Sequence, residues 1–565
     1  MRADRTKGLV LSDFNSGNLA AYLSNDDEPP IVELSSAPYG QVETLLMDPS
    51  HPVWQTELDF VIVWTRPESV LGSFRDVLDY REVSAQQLIR EVDEFAALLS
   101  ALGRPARTVF VASWTLPPYL RGLGLLDLKS PLGIRGQLLA ANARLVQRLQ
   151  PEPSIFVFDA ERWMSSAGRA PFHDRLWYAG KIPYANEVFI EACGDFKAAL
   201  RALSGRTRKL LVLDLDGTLW GGLVGEDGWE ALRLGGHDPE GEAFVDFQRE
   251  LERLKRRGVL LAIASKNDEA TALEALERHP EMILRPRDFV ARRINWRDKA
   301  ENIAEMVEEL NLGLDSVVFI DDQPAERARV REAFPEIYVP EWPPDVLAFR
   351  KALLSLRCFD AAVSSAEDLR RTALYQDESE RQKLKGRAGS LTEWLDSLAI
   401  RVQIEELGPP NVKRATQLLN KTNQMNLSTR RMSEAELLLW AQQAGHKLWT
   451  FRLQDRLGDA GLIGLASFEA VDVSSARLID FVLSCRVFGR KIEETMVATV
   501  IRDLHGAGFR TLSARYLRTE KNAPCLEFLK VSGFRTEDEC LFSWDLSSEY
   551  ALPKFIQVDG GPWLA

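Results

Sequence analysis

The chain has 565 residues, of which 45% are apolar and 27% are charged, and its formal net charge is −13. Such a composition is typical of folded globular proteins and excludes a fibrous or intrinsically disordered chain. A single core rarely grows beyond about 250–300 residues, so the length predicts about three domains. The acidic balance argues against binding to the phosphate backbone of nucleic acids, although it leaves room for a local basic patch.

The first residues contain no apolar core of the length that a signal peptide needs. The longest apolar runs, such as residues 259–264, are much shorter than a membrane-spanning helix. The five cysteines are widely spaced and offer no zinc-site pattern. From these features we expect a reduced cytoplasmic protein that is not attached to a membrane.

Residues 1–205 alternate short apolar runs with longer helical patterns, which predicts a parallel sheet covered by helices on both faces. The predicted strands are residues 8–11, 31–34, 60–64, 108–113 and 155–158. The first strand leads into Ser12, Asp13 and Phe14, at the place where SGNH hydrolases have Gly-Asp-Ser. The region therefore resembles a degenerate SGNH-like domain with Phe14 at the nucleophile position. This resemblance implies a docking or lid role rather than an active hydrolase.

A second α/β unit is predicted over residues 206–365. Its strands at residues 210–213, 259–264 and 317–320 are fully apolar and lead into polar or acidic residues. In an open parallel sheet, catalytic groups gather at the carboxyl ends of the strands. This unit is therefore the first candidate for chemistry.

Residues 366–565 combine strand-like and helical patterns in an order that predicts an α+β domain rich in antiparallel pairs. Strands are expected at residues 400–404, 449–453, 461–468 and 478–483, with a helix at residues 492–504. The whole chain is thus predicted to be a multidomain α/β protein.

The strongest motif runs from Asp214 to Thr218, where two carboxylates two residues apart follow an apolar strand. Asp214 or Asp216 can attack a phosphorus atom while the other transfers a proton. Gly217 relaxes the turn, and Thr218 supplies a hydroxyl near the phosphate. An isolated pair of this kind is most often a capping or turn acid. Whether this pair is catalytic therefore depends on the other residues of the pattern.

Further groups follow in an order that completes a phosphoryl-transfer site. Ser265 ends a predicted strand and can donate a hydrogen bond to a phosphoryl oxygen. Lys299 can neutralise charge on the nucleophile and the phosphate. Asp321 and Asp322 follow another strand and can hold a hard cation such as Mg²⁺.

This ordered set resembles the haloacid dehalogenase (HAD) superfamily of phosphatases and phosphotransferases, with a Rossmann-like parallel sheet. The resemblance implies Asp214 as the nucleophile and Asp216 as the general acid/base. It implies Thr218, Ser265 and Lys299 as phosphate ligands. The Mg²⁺ site that it implies consists of Asp214, Asp216, Asp321 and Asp322. The short intervals between the motifs leave room for only a minimal cap, which favours a substrate delivered by another macromolecule or a lid from another domain.

Five further segments narrow the resemblance from the HAD superfamily to one family within it. They are residues 220–228, 421–427, 429–431, 455–459 and 484–490. Together they look like the FkbH family of HAD-like glyceryl transferase/phosphatases. The family resemblance implies that D-1,3-bisphosphoglycerate gives a D-glyceryl thioester, with loss of both phosphates, on the phosphopantetheine thiol of an acyl carrier protein. The product would serve polyketide or related natural-product biosynthesis.

Acyl transfer to a thiol needs a thiolate nucleophile. Cys485 ends an apolar strand and is followed directly by Arg486. Arg490 and Lys491 come shortly after, and these cations would stabilise a thiolate. Cys525 also lies near a lysine and is the weaker candidate. A small buried hydrophobe is the commoner role of any single cysteine, so this alternative stays open.

The segment from Arg486 to Lys491 resembles the pyrophosphate loop of GNAT acetyltransferases, which implies a GNAT-like fold for residues 366–565. Lys491 stands where that pattern has a small residue, so we expect the arm of a carrier protein rather than acetyl-CoA. A basic patch for an acidic carrier protein is the predicted role of Arg430, Arg431, Arg486, Arg490 and Lys491. A solvated charged face is the alternative.

Two other functions stay open. One is a HAD phosphatase that acts on another phosphorylated small molecule, for example in exopolysaccharide synthesis. The other is a non-catalytic scaffold for carrier proteins. The complete set of acids from Asp214 to Asp322 argues against the scaffold.

Overall fold

The computed structural model describes residues 5–563 with short gaps. The residues left out within that range are 104–107, 169, 363–370, 376, 378–380, 382–383, 385–388 and 520. The chain divides into two compact units, Met1–Arg201 and Ala202–Ala565. The first division lies near the predicted boundary at residue 205. The predicted boundary at residue 365 lies outside the described residues, and the two regions on either side of it belong to one unit.

The first unit contains β1 (Thr6–Ser12), β2 (Val32–Ser36), β3 (Phe60–Trp64), β4 (Thr108–Ala112) and β5 (Ile155–Phe158). Its helices are α1 (Gly17–Ser24), α2 (Val42–Met47), α3 (Pro67–Val70), α4 (Gly72–Leu78), α5 (Ala85–Leu102), α6 (Ile134–Leu149), α7 (Ala160–Ser166), α8 (Asp174–Gly180) and α9 (Asn186–Leu203). The strands form a parallel sheet in the order β2-β1-β3-β4-β5. Every residue of β3 is buried, as expected when helices cover both faces.

Aromatic rings surround Phe14, the residue that the SGNH-like resemblance puts at the nucleophile position. Phe14 is fully buried, and its ring meets those of Trp64 and Tyr184 edge-on, with centroids 5.6 and 5.3 Å apart. The hydroxyl of Ser12 donates a hydrogen bond to the carbonyl oxygen of Phe14. These contacts make Phe14 a core residue of this unit. Its SGNH-like relationship and its docking or lid role stay predictions.

The second unit begins with β6 (Leu210–Leu213), β7 (Leu260–Ser265), β8 (Phe289–Ile294) and β9 (Val317–Ile320). The helices of this part are α10 (Val224–Asp227), α11 (Pro239–Arg256), α12 (Glu269–Arg278), α13 (Lys299–Glu309), α14 (Pro324–Ala333) and α15 (Phe349–Leu354). The strands form a four-stranded parallel sheet in the order β8-β7-β6-β9. The sequence did not predict β8, because Arg292 and Arg293 interrupt its apolar pattern.

The rest of this unit has the mixed architecture that the sequence predicts. Its strands are β10 (Ile400–Glu406), β11 (Met425–Asn426), β12 (His446–Asp455), β13 (Gly458–Ala470), β14 (Ser475–Leu483), β15 (Thr511–Arg515), β16 (Arg535–Thr536), β17 (Leu541–Asp545) and β18 (Ile556–Gly560). Its helices are α16 (Leu391–Leu398), α17 (Val412–Lys421), α18 (Glu434–Ala441), α19 (Ile492–Gly506) and α20 (Ala523–Val531). The sheet runs β16-β17-β15-β14-β13-β12-β10-β18, and β11 pairs with β14. Antiparallel pairs form its centre, from β10 to β14.

A buried ion pair anchors the turn between β12 and β13. Asp455 has a fully buried side chain that accepts hydrogen bonds from Arg381 Nε and Nη2 at 2.7 and 2.8 Å. It also accepts from the backbone N–H groups of Leu457 and Gly458 at 2.9 and 3.2 Å. Arg490 Nη1 lies 3.5 Å from the same carboxylate, and its side chain is 1% exposed. The prediction that Arg490 belongs to a basic docking surface is therefore wrong, because this guanidinium is packed inside the domain.

Removing one partner of this ion pair should destabilise the second unit, because Asp455 would stay buried with less compensating charge. We expect Arg381→Ala to lower the free energy of unfolding by about 3–5 kcal/mol. Arg456→Ala is the matched control, since the Arg456 side chain is exposed beside the same turn. Urea unfolding followed by circular dichroism measures both variants. Equal midpoints for the two would contradict this role of the ion pair.

Candidate active site

The parallel register of the four-stranded sheet brings the predicted site residues to one edge. Leu213 pairs with Ile263 on β7 and with Ile320 on β9, so these three strands end side by side. Asp214 follows β6 directly, and its N–H donates to the carbonyl oxygen of Ile320 at 3.1 Å. Ser265 is the last residue of β7. The edge is therefore a carboxyl edge lined by polar groups, as an open parallel sheet predicts.

Three carboxylates meet at this edge around one ammonium group. Asp214, Asp321 and Asp322 each offer an oxygen, and these oxygens lie within 4.8 Å of one another. Lys299 Nζ is 3.1 Å from Asp214 Oδ1 and 2.6 Å from Asp321 Oδ2. Asp214, Asp321 and Lys299 are all buried. One ammonium leaves the group with excess negative charge in a place that water screens poorly.

The pKa values of these groups reflect that imbalance. Burial raises the pKa of Asp214 to about 6, with a further rise from Asp321, although Lys299 opposes it. Burial also raises the pKa of Asp321 and of Asp322 above the ordinary range. Burial disfavours the charged form of Lys299, but Asp214 and Asp321 outweigh it and raise its pKa. The carboxylates therefore need more positive charge than Lys299 supplies.

The oxygen atoms at this edge fit a hard divalent cation. Among the described residues, Asp214 Oδ1 and Asp322 Oδ1 are buried and accept no well-aligned hydrogen bond, although Lys299 lies close enough to the first for an ion pair. Carboxylate oxygens of this kind are the ligands that Mg²⁺ prefers, together with phosphate and water. Asp214, Asp321 and Asp322 are thus the residues that would hold the ion.

The carboxylate of Asp216 does not belong to this group. It accepts hydrogen bonds from Trp220 Nε1 at 2.7 Å, from Asn267 Nδ2 at 3.0 Å and from the N–H of Val224 at 3.2 Å. The sequence predicted the side chain of Asp216 as a metal ligand. The structure instead places this side chain among hydrogen-bond donors, outside the group of carboxylates. These three donors hold the carboxylate of Asp216 in place, and Asp216 follows Asp214 by two residues. A carboxylate held in this way is suited to proton transfer.

The predicted phosphate ligands lie beside the carboxylates, together with one residue that the sequence analysis missed. The hydroxyl of Thr218 accepts from the N–H of Asp322 at 3.2 Å, so it ties the segment after β6 to the segment after β9. Ser265 is buried and its hydroxyl accepts from Asn267 Nδ2 at 3.2 Å. Asn267 thus bridges Ser265 and Asp216. Its only signal in the sequence is its place two residues after the end of a strand.

The edge carries an exposed aromatic side chain rather than a large cap. Between Asp216 and β7, the described helices are the short α10, a 3₁₀ helix at Trp229–Ala231 and α11. Trp296 is 75% exposed and follows Asn295, whose N–H donates to the carbonyl oxygen of Ser265 at 3.0 Å. The carboxyl edge thus carries a solvent-exposed indole next in sequence to a residue that is bonded to Ser265.

Cys485 lies far from this edge, at the other end of the same sheet. It lines a cleft with residues that precede β6 and β9, among them Lys209 and Asp315. Its carbonyl oxygen accepts from Asn311 Nδ2 at 3.0 Å. The cationic residues around the cleft are Arg206, Lys209, Arg371, Arg414, Lys421, Arg486 and Lys521. The structure therefore gives Cys485 a basic environment, but mostly from other residues than the sequence predicted.

The predicted basic patch is distributed over different places. Arg486 lines the Cys485 cleft, whereas Lys491 is exposed at the start of α19 and pairs with Glu494 at 2.5 Å. Arg430 pairs with the buried Asp480 at 2.5 Å. Arg431 donates to the carbonyl oxygen of Leu419 and to the Asn423 side chain. The prediction of one continuous carrier-binding surface from these residues is thus not supported by their positions.

The second candidate thiol is not suited to catalysis. Cys525 is fully buried, and burial raises the pKa of its thiol to about 12. Such a thiol is a core hydrophobe rather than a nucleophile.

Comparisons with known proteins give one informative similarity. No protein-family model matches the sequence, and no curated protein matches it either. A crystal structure of the N-terminal part of the protein BF1531 from Bacteroides fragilis, containing a phosphatase domain complexed with Mg, is 31% identical. The match covers 63% of this chain and 94% of that chain, with a TM-score of 0.58. The share of this chain is larger than residues 206–365 alone, so the similarity extends beyond that region.

Further solved structures resemble a smaller part of the chain. A GNAT-family acetyltransferase from Staphylococcus aureus is 12% identical over 26% of this chain and 99% of that chain, with a TM-score of 0.21. The protein Ard1 from Thermoplasma volcanium is 12% identical over 25% of this chain and 94% of that chain, with a TM-score of 0.20. Similarities of this size carry no argument about activity. Among the described residues, no helix is both long and apolar enough to cross a membrane.

The turn after Asp216 provides a test of the cation site. Gly217 has a φ of +70°, and a Cβ there would lie 2.6 Å from Asp322 Oδ2. We expect Gly217→Ala to displace this carboxylate and weaken Mg²⁺ binding at least 10-fold in isothermal titration calorimetry. Gly236→Ala is the matched control, because Gly236 has a φ of +74° and a Cβ there would meet no atom within 4 Å. Both substitutions should cost about 1–2 kcal/mol of stability. Equal Mg²⁺ affinities for the two variants would contradict the assignment.

Proposed function

This chain belongs to the same family as the Bacteroides fragilis protein BF1531, whose N-terminal part contains a phosphatase domain, and we propose that it is a Mg²⁺-dependent phosphatase of the HAD type. One observation carries the proposal. It is the buried group of Asp214, Asp321 and Asp322 around Lys299, in which carboxylate oxygens are left without well-aligned hydrogen bonds.

The arrangement of the chain's own residues supports a two-step hydrolysis. A carboxylate oxygen of Asp214 attacks the phosphorus of a phosphate monoester, the ester P–O bond breaks, and Asp216 gives its proton to the leaving oxygen. Water then attacks the phosphorus of the aspartyl phosphate and gives a proton to Asp216, the P–O bond to Asp214 breaks, and inorganic phosphate leaves. Lys299 and the Ser265 hydroxyl balance and orient the phosphoryl oxygens. When bound, Mg²⁺ supplies positive charge that draws the phosphate and the carboxylate of Asp214 together.

We further propose that this phosphatase is coupled to glyceryl transfer, as the FkbH resemblance implies. The thiolate of Cys485 would attack the acyl carbon of D-1,3-bisphosphoglycerate, and the carbon–oxygen bond to the acyl phosphate would break. Thioester exchange would then pass the acyl group to the phosphopantetheine thiol of an acyl carrier protein. The remaining phosphate ester would be hydrolysed at Asp214. The basic lining of the Cys485 cleft supports this proposal, because cations attract a phosphorylated donor.

The positions of the two sites add a requirement to this scheme. Lys209, which lines the Cys485 cleft, precedes β6, and Asp214 follows it. Five residues of extended chain separate them by about 17 Å. A phosphorylated acyl group on Cys485 therefore has to move before its phosphate reaches Asp214. A flexible carrier arm provides such a movement, which supports a carrier protein as the acceptor.

A phosphatase that acts on another phosphorylated small molecule is the second candidate. One observation favours it: the group around Asp214 is complete without Cys485, so phosphate removal does not need the distant thiol. A non-catalytic scaffold has no such support, since it gives no reason for a buried group with excess negative charge.

A phosphate-release assay tests the phosphatase. We expect release from phosphate monoesters to require Mg²⁺ and to fall at least 10³-fold in Asp214→Asn, because the amide is not a nucleophile. Asp227→Asn is the control, since this exposed carboxylate at the end of α10 lies outside the group. Release that is unaffected by Asp214→Asn or by removal of Mg²⁺ would contradict the proposal.

A mass measurement tests the transfer. A holo carrier protein incubated with the enzyme and D-1,3-bisphosphoglycerate should gain the mass of one glyceryl group. Cys485→Ser should abolish this gain and any covalent phosphoglyceryl-enzyme seen by intact mass spectrometry. Cys540→Ser is the control, as Cys540 is a partly exposed thiol outside the cleft. A glyceryl adduct that persists in Cys485→Ser would exclude this cysteine, and phosphate release without any carrier adduct would favour the second candidate.

A further inference from the structure

We propose that Trp220 is a positioning residue of the phosphatase reaction, whose indole N–H confines the transferable proton of Asp216 to the oxygen Oδ2. This role rests on the proposed phosphatase function and deepens it. The two oxygens of the Asp216 carboxylate then have different tasks, because the protein holds one of them and the other carries the proton.

The oxygen Oδ1 of Asp216 is fully occupied by donors. It accepts a hydrogen bond from Trp220 Nε1 at 2.7 Å and another from the N–H of Val224 at 3.2 Å. A carboxylate oxygen has two lone pairs, so these two donors use both of them. An indole N–H and a backbone N–H can donate but cannot accept. A proton on Oδ1 would therefore face two donors, which excludes it from this oxygen.

The oxygen Oδ2 faces the phosphate side of the site. It accepts from Asn267 Nδ2 at 3.0 Å, and the same amide nitrogen donates to the Ser265 hydroxyl at 3.2 Å. The amide group has two N–H donors, one for each of these acceptors. Among the described residues, Asn267 is the only donor to Oδ2. One position on Oδ2 is thus left for a proton, on the oxygen that a single amide separates from Ser265.

The local chain fixes the indole that makes this division. The Trp220 side chain is fully buried in the core of the second unit. The carbonyl oxygen of Trp220 accepts from the N–H of Gly217 at 2.8 Å, and Gly221 exchanges two backbone hydrogen bonds with Arg233, at 3.0 and 2.8 Å. The ring is therefore held by its packing and by the backbone on both sides. Losing the contact with Asp216 would leave a buried N–H unpaired, which is unfavourable.

This division matches the two proton transfers of the hydrolysis. In the first, Oδ2 of Asp216 gives its proton to the leaving oxygen while the ester P–O bond breaks and the P–O bond to Asp214 forms. In the second, water gives a proton to Oδ2 while its oxygen bonds to phosphorus and the P–O bond to Asp214 breaks. Oδ1 keeps its two hydrogen bonds throughout. The indole thus keeps the carboxylate from turning its proton away from the phosphate.

The dependence of the rate on the leaving group tests this role. A nitrophenolate leaves readily without a proton, whereas an alkoxide needs one. We expect Trp220→Phe, which keeps an aromatic ring but removes the N–H, to lower kcat for D-3-phosphoglycerate about 10-fold relative to kcat for p-nitrophenyl phosphate. An unchanged ratio of the two rates in a folded Trp220→Phe would overturn the proposal.

Trp342→Phe is the matched control for the loss of an indole. Trp342 is buried in the same hydrophobic core as Trp220, and its Nε1 has no hydrogen-bond partner among the described residues. This substitution removes the same atoms but no hydrogen bond to Asp216. The ratio of the two rates should therefore stay as it is in the unaltered protein. A fall equal to that in Trp220→Phe would overturn the proposal, because it would show an effect of core packing alone.

A second variant removes the other donor to Oδ1. Val224 is the first residue of α10, a position that accepts proline. Leu223 before it has the extended backbone that a following proline requires, with φ −112° and ψ 106°. Val224→Pro should shift the ratio in the same direction as Trp220→Phe. Circular dichroism checks the folding of each variant, and if Trp220→Phe misfolds, an unchanged ratio in Val224→Pro overturns the proposal instead.

The contact itself can be measured without enzyme activity. In the full-length protein with isotope-labelled tryptophan, Trp220→Phe and Trp342→Phe identify the two indole N–H signals by nuclear magnetic resonance. The Trp220 signal should lie downfield of the Trp342 signal, because only the Trp220 indole donates to a carboxylate. Asp216→Ala should move the Trp220 signal upfield and leave the Trp342 signal in place. A Trp220 signal that does not respond to Asp216→Ala would overturn the proposal.

Failure of this role and failure of the phosphatase are distinguishable. If the unaltered protein shows no Mg²⁺-dependent phosphate release, the proposed function fails and the role of Trp220 fails with it. If release persists but the ratio of the two rates is unchanged in Trp220→Phe, only the role of Trp220 fails.

Discussion

The hydrogen-bonded register of β6 with β7 and β9 is the constraint on which the rest of the second unit depends. Because the three strands are parallel and end together, Asp214, Ser265 and Asp321 converge although they lie more than 100 residues apart in total. A shift of one residue would turn Asp214 to the other face of the sheet and separate it from Lys299. The same register fixes the opposite edge, where Lys209 and Ser316 directly precede their strands.

This one sheet therefore keeps opposite charges apart. Carboxylates with a single ammonium gather at its carboxyl edge, and cations gather beyond its amino edge around Cys485. The carboxyl edge is suited to a divalent cation, because its carboxylates outnumber the ammonium groups. In the proposed scheme, phosphate hydrolysis and acyl transfer would take place at different edges of this sheet. Any group processed at both edges then has to travel between them.

Much of the candidate site was predictable because its residues follow strands that the sequence marks clearly. Runs such as Leu210–Leu213 are apolar throughout, which is typical of a buried parallel strand. An acid directly after such a strand lies at the carboxyl edge of the sheet. The sequence analysis did not identify Asn267 as a site residue, because an amide in a loop can have many roles. Its role is seen only from its contacts with Asp216 and Ser265. β8 was not predicted from the sequence, because its two arginines interrupt the apolar pattern of a buried strand.

The sequence by itself determined the multidomain α/β architecture and the ordered acids of the group around Asp214, since these depend on local patterns. Only the tertiary structure decided which charges are neighbours. Arg490 follows Cys485 by five residues but is bound to Asp455 inside the domain, whereas Lys209 and Arg414 come from distant segments to surround the thiol. Charge proximity depends on how sheets and helices pack, and sequence distance does not report it.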